Sequence, residues 1–474
     1  MPGEVLDLWL TAVSIGFFVV AQLPVRNALI ACGMDKGRGV FPWLFHLPYL
    51  PFHRLEENGE VLLQICPPTA FDLSETGATI ANELHIAVLI RPMLETFFWL
   101  LVALVFYVYA AYPILLKILS YRPKNFRMDN NYSPFVTLFI PVYNEEAVIE
   151  EKLRNSLALD YPPEKLEVMV ISDGSTDRTN SILTDFSHPN VTTAIQHYRS
   201  GKNACINQYV PTSRGEILVF SDANSMYRRD AIRKLVRHFH DTRVGCVCGN
   251  LKYVDKLTSV GKGEGLYFRY EAFLKDMESK QGAVVSANGA IYAFRKTLFE
   301  PIPLNAPNDF VHPIEARQKG YFALYDREAI AEEKASITFH EEFERRTRIV
   351  TRSYTAYKLY SKQHRILRSP HGLYFLSHKL LRWHLPLLLL PIFVLNILLM
   401  NDASYACLLI VQIAFYLAGF VGYAYHKAGR HLSILYVPFY FCLINLAAMI
   451  GIIRYYTRGA DVIWEQAPGT RINL

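Results

Sequence analysis

The chain has little cysteine, and what it has follows no pattern. Seven cysteines in 474 residues show no CxxC spacing, which argues against a disulfide framework and against the common zinc modules. Cys246 and Cys248 are spaced to share one face of a strand. No further ligands of suitable spacing lie nearby, so they read as small buried apolar residues. No GxGxxG follows the first apolar strand of the central block, which disfavours a dinucleotide-binding Rossmann domain. Internal repeats and low-complexity tracts are missing. The start of the chain lacks a secretory signal's basic n-region and small-residue cleavage site, because Glu4 and Asp7 stand where positive charge would be expected. A net charge of +6 is modest and gives no argument for a nucleic-acid partner.

Long apolar runs, by contrast, are plentiful. Leu8–Val25, Thr96–Leu116, Ser404–Tyr425 and Ser433–Ile453 carry no charge at all. Crossing a bilayer takes about 20 apolar residues, so these four read as spans of an integral membrane protein. Leu385–Met400 is shorter and holds Pro386, Pro391 and Asn396, which marks it as a marginal span, re-entrant or interfacial. Lys117, Arg122, Lys124 and Arg127 crowd the end of the second run and place the following domain in the cytoplasm. The membrane itself reads as a plasma or inner membrane. Arg454 and Arg458 favour a cytoplasmic tail. Four regions follow: an N-terminal membrane region at 1–133, a mixed polar domain at 134–339, basic interfacial helices at 340–384, and membrane helices with a tail at 385–474. Within the first, the Pro- and aromatic-rich Phe41–Leu55 fits either a membrane surface or a small lumenal or periplasmic region.

The mixed block alternates strands and helices, the pattern of an α/β domain with a mainly parallel sheet. Val136–Val142 and Ile217–Phe220 are continuous apolar runs suited to strands buried on both faces. Leu166–Ser172 reads as a third strand. Asn144 is placed to cap a helix whose first turn holds Glu145 and Glu146 and whose buried stripe is Val148, Ile149, Leu153 and Leu157. Asp230 is placed to cap another, with Ala231, Ile232, Leu235, Val236 and Phe239 inward. Ligands bind such sheets beyond the carboxyl ends of the strands. Three polar loops fall there: Asn144-Glu145, Asp173, and Asp222 with Asn224. In VFSDANSMY, alternation aims Asp222 and Asn224 at one side of the strand end, although an Asx turn would use the same residues.

The ordered set FIPVYNEE, VISDGSTDRT, SGKNACINQ, VFSDAN, SANGAIYAFRK, APNDF and EFERRTRIVTR resembles membrane-bound family 2 glycosyltransferases, a family that includes cellulose, chitin, hyaluronan and poly-N-acetylglucosamine synthases. The likeness covers roughly residues 134–355, and the tail VPFYFCLINLAAMIGIIRYYTRGADVIWEQAPGTR is similar to members with C-terminal membrane helices. It implies a GT-A, Rossmann-like fold joined to transmembrane and interfacial helices. It also implies a nucleotide-sugar donor, usually UDP-linked, and inversion at the transferred carbon. By that resemblance Asp222 contacts ribose or metal and Asn224 ligates a divalent cation, Mg2+ or Mn2+. Asn224 supplies a neutral carbonyl where the family commonly has a carboxylate, so the diphosphate would contribute more of the charge. Pro141, Tyr143, Glu145 and Asp173 match the nucleobase and ribose pocket. Lys202 faces the diphosphate or the base. Asn288, Gly289 and Ala290 match the strip where the acceptor enters.

Asp309, in the place of the family's ED or DD pair, is the expected general base. Its neighbour Asn308 removes a like charge, which predicts less upward push on the Asp309 pKa. Arg345 and Arg348 have the spacing to clamp a pyrophosphate from one helix face, and a membrane-surface helix meeting anionic lipids would carry the same charges. Ile349 replaces the Trp of many processive synthases and weighs against polymerisation. The expected activity is transfer of a sugar to a lipid-linked or polysaccharide acceptor beside membrane lipids. A processive, secreting synthase and a non-catalytic membrane scaffold are the alternatives.

Overall fold

The computed structural model describes residues 53–57, 60–64, 73–254, 259–334, 338–364, 366–369, 371–428 and 433–462, without the side chains of 53–57, 60–64, 73–89, 259–266, 362–364 and 433. The apolar run Leu8–Val25, most of Phe41–Leu55 and the end of the tail lie outside these residues. The chain divides into two compact units, Met1–Phe98 with Leu398–Ala406, and Trp99–Ile397 with Cys407–Leu474. In the first, strands β1 (His53–Glu57) and β2 (Glu60–Gln64) pair antiparallel.

The second unit holds an eight-stranded sheet. Its strands are β3 (Val136–Val142), β4 (Leu166–Asp173), β5 (Val191–Gln196), β6 (Ile217–Phe220), β7 (Met226–Tyr227), β8 (Val244–Tyr253), β9 (Tyr292–Arg295) and β10 (Phe322–Glu333). They lie in the order β5-β4-β3-β6-β9-β8-β10-β7. β3, β4, β5 and β6 pair in parallel, as do β8 and β10, whereas β9 runs antiparallel between β6 and β8 and β7 runs antiparallel to β10.

The apolar runs form buried strands because their side chains alternate into two cores. Val136, Leu138, Ile140 and Val142 pack on one face with Ile149, Leu153, Ile232 and Leu235. Phe139 packs on the other with Cys205, Ile206, Phe310, Val311 and Tyr354. Cys246 and Cys248 join this second core. Helices therefore cover both faces, and the parallel register aligns the carboxyl ends of β3, β4 and β6 along one edge.

One of the two expected helix starts differs. The helix after β3 is Ile149–Leu157, with Val148 in the cap position. Asn144 does not cap it. Asn144 takes a left-handed conformation, φ 52°, and its Oδ1 accepts the Thr176 N–H at 2.8 Å. Asn tolerates that backbone because its short side chain bonds locally. Glu145 contributes its carbonyl, which accepts the Val148 and Ile149 N–H groups. The buried stripe also shifts: Lys152 and Ser156 are buried beside Ile149 and Leu153, while Leu157 is half-buried. Asp230 does stand at the N-cap of Ala231–Val236, though its side chain makes no capping hydrogen bond.

Among the described residues, four helices are long and apolar enough to cross a membrane: Ile90–Leu119, Gly372–Leu398, Ala403–Lys427 and Ile434–Thr457. Three contain runs read from hydropathy. The fourth corrects the marginal Leu385–Met400, which is the second half of one continuous helix. Its first half was hidden by His378, Lys379 and Arg382, whose charge interrupts the apolar run.

Candidate functional site

A cleft of about 410 Å³ opens at the carboxyl edge of the sheet. Lys202, Asp222, Asn288, Gly289, Ala290, Asp309, Arg345 and Arg348 all line it. Residues from five separate sequence motifs thus meet in one space.

β6 delivers Asp222. The strand ends at Phe220, and the chain turns at Ala223–Asn224 before β7. Asp222 Oδ1 lies 2.6 Å from Lys202 Nζ, and Lys202 begins the helix Lys202–Tyr209 as expected. Behind the turn sits Lys152, fully buried. Its ammonium donates to Ser221 Oγ at 2.8 Å and to the Ser225 carbonyl, and lies 4.2 Å from the centroid of the Tyr227 ring. Ser225 Oγ donates in turn to Glu333 at the end of β10. Lys152 therefore pins both ends of the acidic turn. Burial, opposed by the charges of Asp222 and Glu333, pulls its pKa down to about 7.

Asp309 comes from the helix Asn308–Gln318, whose N-cap is Pro307. Pro313 lies inside that helix, and proline has no N–H to offer the carbonyl four residues back. The freed Asp309 carbonyl accepts the Ala287 N–H at 2.8 Å instead. The Gly289 N–H donates to Asp309 Oδ2 at 3.0 Å. Backbone and side chain thus both tie the base candidate to the Ser286–Ala290 strip. A Cβ built on Gly289 would lie 3.5 Å from Asp309 Oδ2 and 3.7 Å from Asp222 Oδ2, so the two carboxylates flank this glycine. Those are ordinary contacts. The fold does not demand glycine here, and its value is the space left between the carboxylates.

Burial raises the Asp309 pKa; Lys202 pulls it down, Asp222 pushes it up, and Lys275 and the Gly289 N–H pull it down. The expectation drawn from Asn308 concerned the neighbouring charge alone, whereas burial is the largest cause of the upward shift. Asn308 itself turns away, donating to Tyr292 Oη at 2.5 Å.

The helix Phe339–His364 lays Arg345, Arg348, Ile349 and Arg352 along the cleft. Glu342, fully buried, organises its start: Arg345 Nε donates to Glu342 at 2.8 Å, Arg346 Nε at 2.6 Å and Tyr440 Oη at 2.9 Å. Arg345 also donates to Tyr253 Oη at 2.7 Å. Arg346 is accordingly a packing residue, stacked 4.1 Å from the Tyr267 ring centroid.

The other expected donor residues do not line this cleft. Pro141 is buried in β3 and Glu145 is buried beside Thr179, whose Oγ1 accepts the Glu145 N–H at 2.8 Å. Tyr143 has the Arg199 guanidinium 3.7 Å from its ring centroid. Asp173 accepts the Ser200 N–H at 2.6 Å and the Gly201 N–H at 2.8 Å. Its carboxylate therefore shapes the turn that launches Lys202. Gly174 serves the same turn: its φ is +69°, and a Cβ there would come within 2.6 Å of the Arg199 backbone nitrogen. These residues form a neighbouring cluster, joined to the cleft through Gly201 and Lys202. Asn224 is half-buried in the turn and is not among the cleft-lining residues.

Sequence reasoning missed Lys152, Glu333, Lys275 and Arg352, and the inner end of the cleft. That end is lined by Tyr109, Lys379, Arg382, Trp383 and Asn445, all from candidate spans, with Glu271 between them. Glu271 pairs with Arg382 at 2.5 Å and with Lys379 at 3.4 Å. On that helix face, only Arg345 and Arg348 were read in advance from their spacing.

Among the described residues no group of three His, Cys, Asp or Glu side chains could hold a metal ion. The acidic turn offers two oxygen-bearing side chains, and one oxygen of Asp222 already meets Lys202. Mg2+ or Mn2+ takes about six ligands. The residues fit an ion completed by a diphosphate and water, and they do not form a protein cage.

The mixed sheet with its acidic turn and flanking helices is an α/β fold of GT-A type. Residues 137–300 match the family model described as glycosyl transferase family 2, so the chain carries a domain of that family. It is 30% identical over 166 residues to the poly-beta-1,6-N-acetyl-D-glucosamine synthase of Staphylococcus aureus, covering 34% of this chain and 40% of that one. It is 33% identical over 131 residues to the beta-monoglucosyldiacylglycerol synthase of Trichormus variabilis, covering 27% of this chain and 28% of that one. The matched region thus spans less than half of either relative. The mannosyltransferase PcManGT of Pyrobaculum calidifontis, solved with GDP-Man and Mn2+, superposes with a TM-score of 0.59 at 22% identity. That superposition covers 76% of this chain and 99% of that chain, and it bears on the fold alone.

Proposed function

We propose that this protein is a membrane-bound inverting glycosyltransferase that moves a sugar from a UDP-linked donor to a lipid-linked or saccharide acceptor. The observation that carries the reading is the pairing of Asp222 and Asp309 across Gly289 in a cleft shared with Lys202, Arg345 and Arg348. Asp309 takes the proton from the acceptor hydroxyl as its oxygen attacks the anomeric carbon. The bond from that carbon to the diphosphate oxygen breaks on the opposite side, which inverts the centre. Lys202, Arg345 and Arg348 stabilise the charge that develops on the departing diphosphate. A divalent ion held by Asp222, Asn224 and the diphosphate would add Lewis acidity at the same oxygens. Tyr143 and Asp173 belong to the nucleoside side of the site, with Pro141 and Glu145 supporting it from within. Asn288–Ala290 receives the acceptor.

The catalytic domain faces the cytoplasm in this reading, with the helices after residue 339 against the membrane. A processive synthase is the second reading. It is supported by the cleft's continuation between residues of candidate spans and by the named product of the staphylococcal relative, and it is opposed by Ile349.

Purified full-length protein, supplied with a panel of UDP-sugars and Mn2+ or Mg2+, is expected to release UDP from one of them. Product length then separates single addition from polymerisation. Absence of UDP release across the panel would leave a non-catalytic scaffold. A narrower expectation concerns the gap between the carboxylates. Gly289→Ala should melt within about 2 °C of the parent, since its Cβ meets only ordinary contacts. Transfer should nevertheless drop about tenfold or more as the methyl group crowds the reacting atoms, because small misplacements there are costly. Unaltered turnover would remove Gly289 from the acceptor path.

A further inference from the structure

A second, smaller cavity of about 40 Å³ lies apart from the cleft. Its apolar walls include Val284, Ile314, Ile366 and Phe375, and four polar residues also line it: Arg317, Gln318, His371 and Ser369, whose hydroxyl donates to the Ile366 carbonyl. A single water needs only about 10–15 Å³ by this measure. All three guanidinium nitrogens of Arg317, together with Gln318 Nε2 and His371 Nδ1, are buried without a hydrogen-bond partner among the described residues. Arg317 lies 5.7 Å from the Phe322 ring centroid, a cation–π contact that supplies no hydrogen-bond acceptor. Lys124 lies 4.7 Å from the same centroid and adds its own charge.

Glu278 accepts from Tyr112 and meets His378, while Glu315 accepts from Tyr360 through one oxygen and its other oxygen is buried without a hydrogen-bond partner among the described residues. Among the described residues no carboxylate pairs with Arg317. Burial lowers the Arg317 pKa to about 9, and burial with the Arg317 and Lys124 charges lowers His371 to about 3. Buried cations are ordinarily paired, because desolvation is not otherwise offset. A planar guanidinium with free forks, beside an amide donor and an imidazole, matches a tetrahedral oxyanion.

Location narrows the ligand. His371 directly precedes the candidate span Gly372–Leu398, Phe375 of that span walls the cavity, and Lys124 follows the candidate span Ile90–Leu119. The cavity thus sits where helices leave the apolar zone, the level of lipid phosphates. We propose that Arg317, Gln318 and His371 form a phosphate-binding site at the membrane surface, distinct from the sugar-transfer cleft. The phosphate belongs either to a phospholipid headgroup or to free phosphate in solution.

Thermal unfolding of the full chain in detergent tests this. It is titrated with dihexanoyl-phosphatidylglycerol below its micelle concentration and, separately, with inorganic phosphate, each against chloride of equal ionic strength. Saturable stabilisation is expected with the short lipid in the parent and in Lys319→Met, whose lysine pairs with Glu300 outside the cavity. Half-saturation should rise at least tenfold in Arg317→Met and also rise in His371→Phe. Saturation by inorganic phosphate alone supports the site and assigns it to the free ion. No response to either ligand, or variants titrating like the parent, overturns the proposal and leaves a cavity for water. Should Arg317→Met fail to fold, Gln318→Leu and His371→Phe decide the matter. None of these residues touches the cleft, so loss of phosphate binding with UDP release intact is distinguishable from failure of the glycosyltransferase reading.

Discussion

Replacing Asp309 by Asn should abolish sugar transfer while leaving UDP binding within about threefold of the parent. A positioned general base contributes about 10²- to 10⁴-fold, and an amide cannot accept the proton. The fold should survive, because Asn keeps an oxygen for the Gly289 N–H and the backbone bond to Ala287 does not involve the side chain. Steady-state transfer, with calorimetry for UDP, checks both halves. Turnover equal to the parent's would place the base elsewhere. A pH profile supplies a second check. The base must be ionised, and burial raises the Asp309 pKa. Transfer should therefore decline with acidification from a pH above the usual carboxylate range, and the decline should follow a single ionisation. An acid limb at the ordinary aspartate position would contradict the buried geometry.

The second large effect is expected at Asp222. Asp222→Ala removes the carboxylate that holds Lys202 at 2.6 Å and the only acid of the SDAN turn. Donor binding should weaken about 10- to 100-fold with Mn2+ present, the scale of losing one or two charge-assisted contacts. With chelator, parent and variant should differ by less than about threefold. Calorimetric titration of UDP under both conditions is the measurement. Equal affinities of the parent with and without chelator would show that no divalent ion accompanies the donor. The comparison matters because the turn presents one carboxylate and one amide, so the ion and the diphosphate are expected to bind together.

Much of this architecture was legible in the amino-acid order. VTLFIPV and ILVF are short apolar runs ended by polar turns, and β3 and β6 occupy those residues. Several of the ordered motifs named cleft residues because VFSDAN ends a strand, and SGKNACINQ and APNDF begin helices, at one sheet edge. Other features depended on partners far along the chain. Lys152 sits in EEKLRN, which reads as a solvated helix face, and its ammonium meets Ser221 and Ser225. Lys379 and Arg382 broke an apolar run, and Glu271 partners both more than a hundred residues away. Asn144 looked like a cap because Asn and two glutamates precede an apolar stripe, yet its amide group was claimed by Thr176. Local composition cannot show which distant group satisfies a polar side chain.

The proline at position 313 reaches beyond its own helix. By releasing the Asp309 carbonyl to the Ala287 N–H, it makes the Ser286–Ala290 strip and the start of the Asp309 helix a single mechanical part. Chimeras exchanged with a related glycosyltransferase should therefore tolerate junctions before Ser286 or after Pro313. Junctions between those points would separate a donor from the carbonyl it depends on. If the proposed roles hold, specificity and chemistry travel together as one cassette.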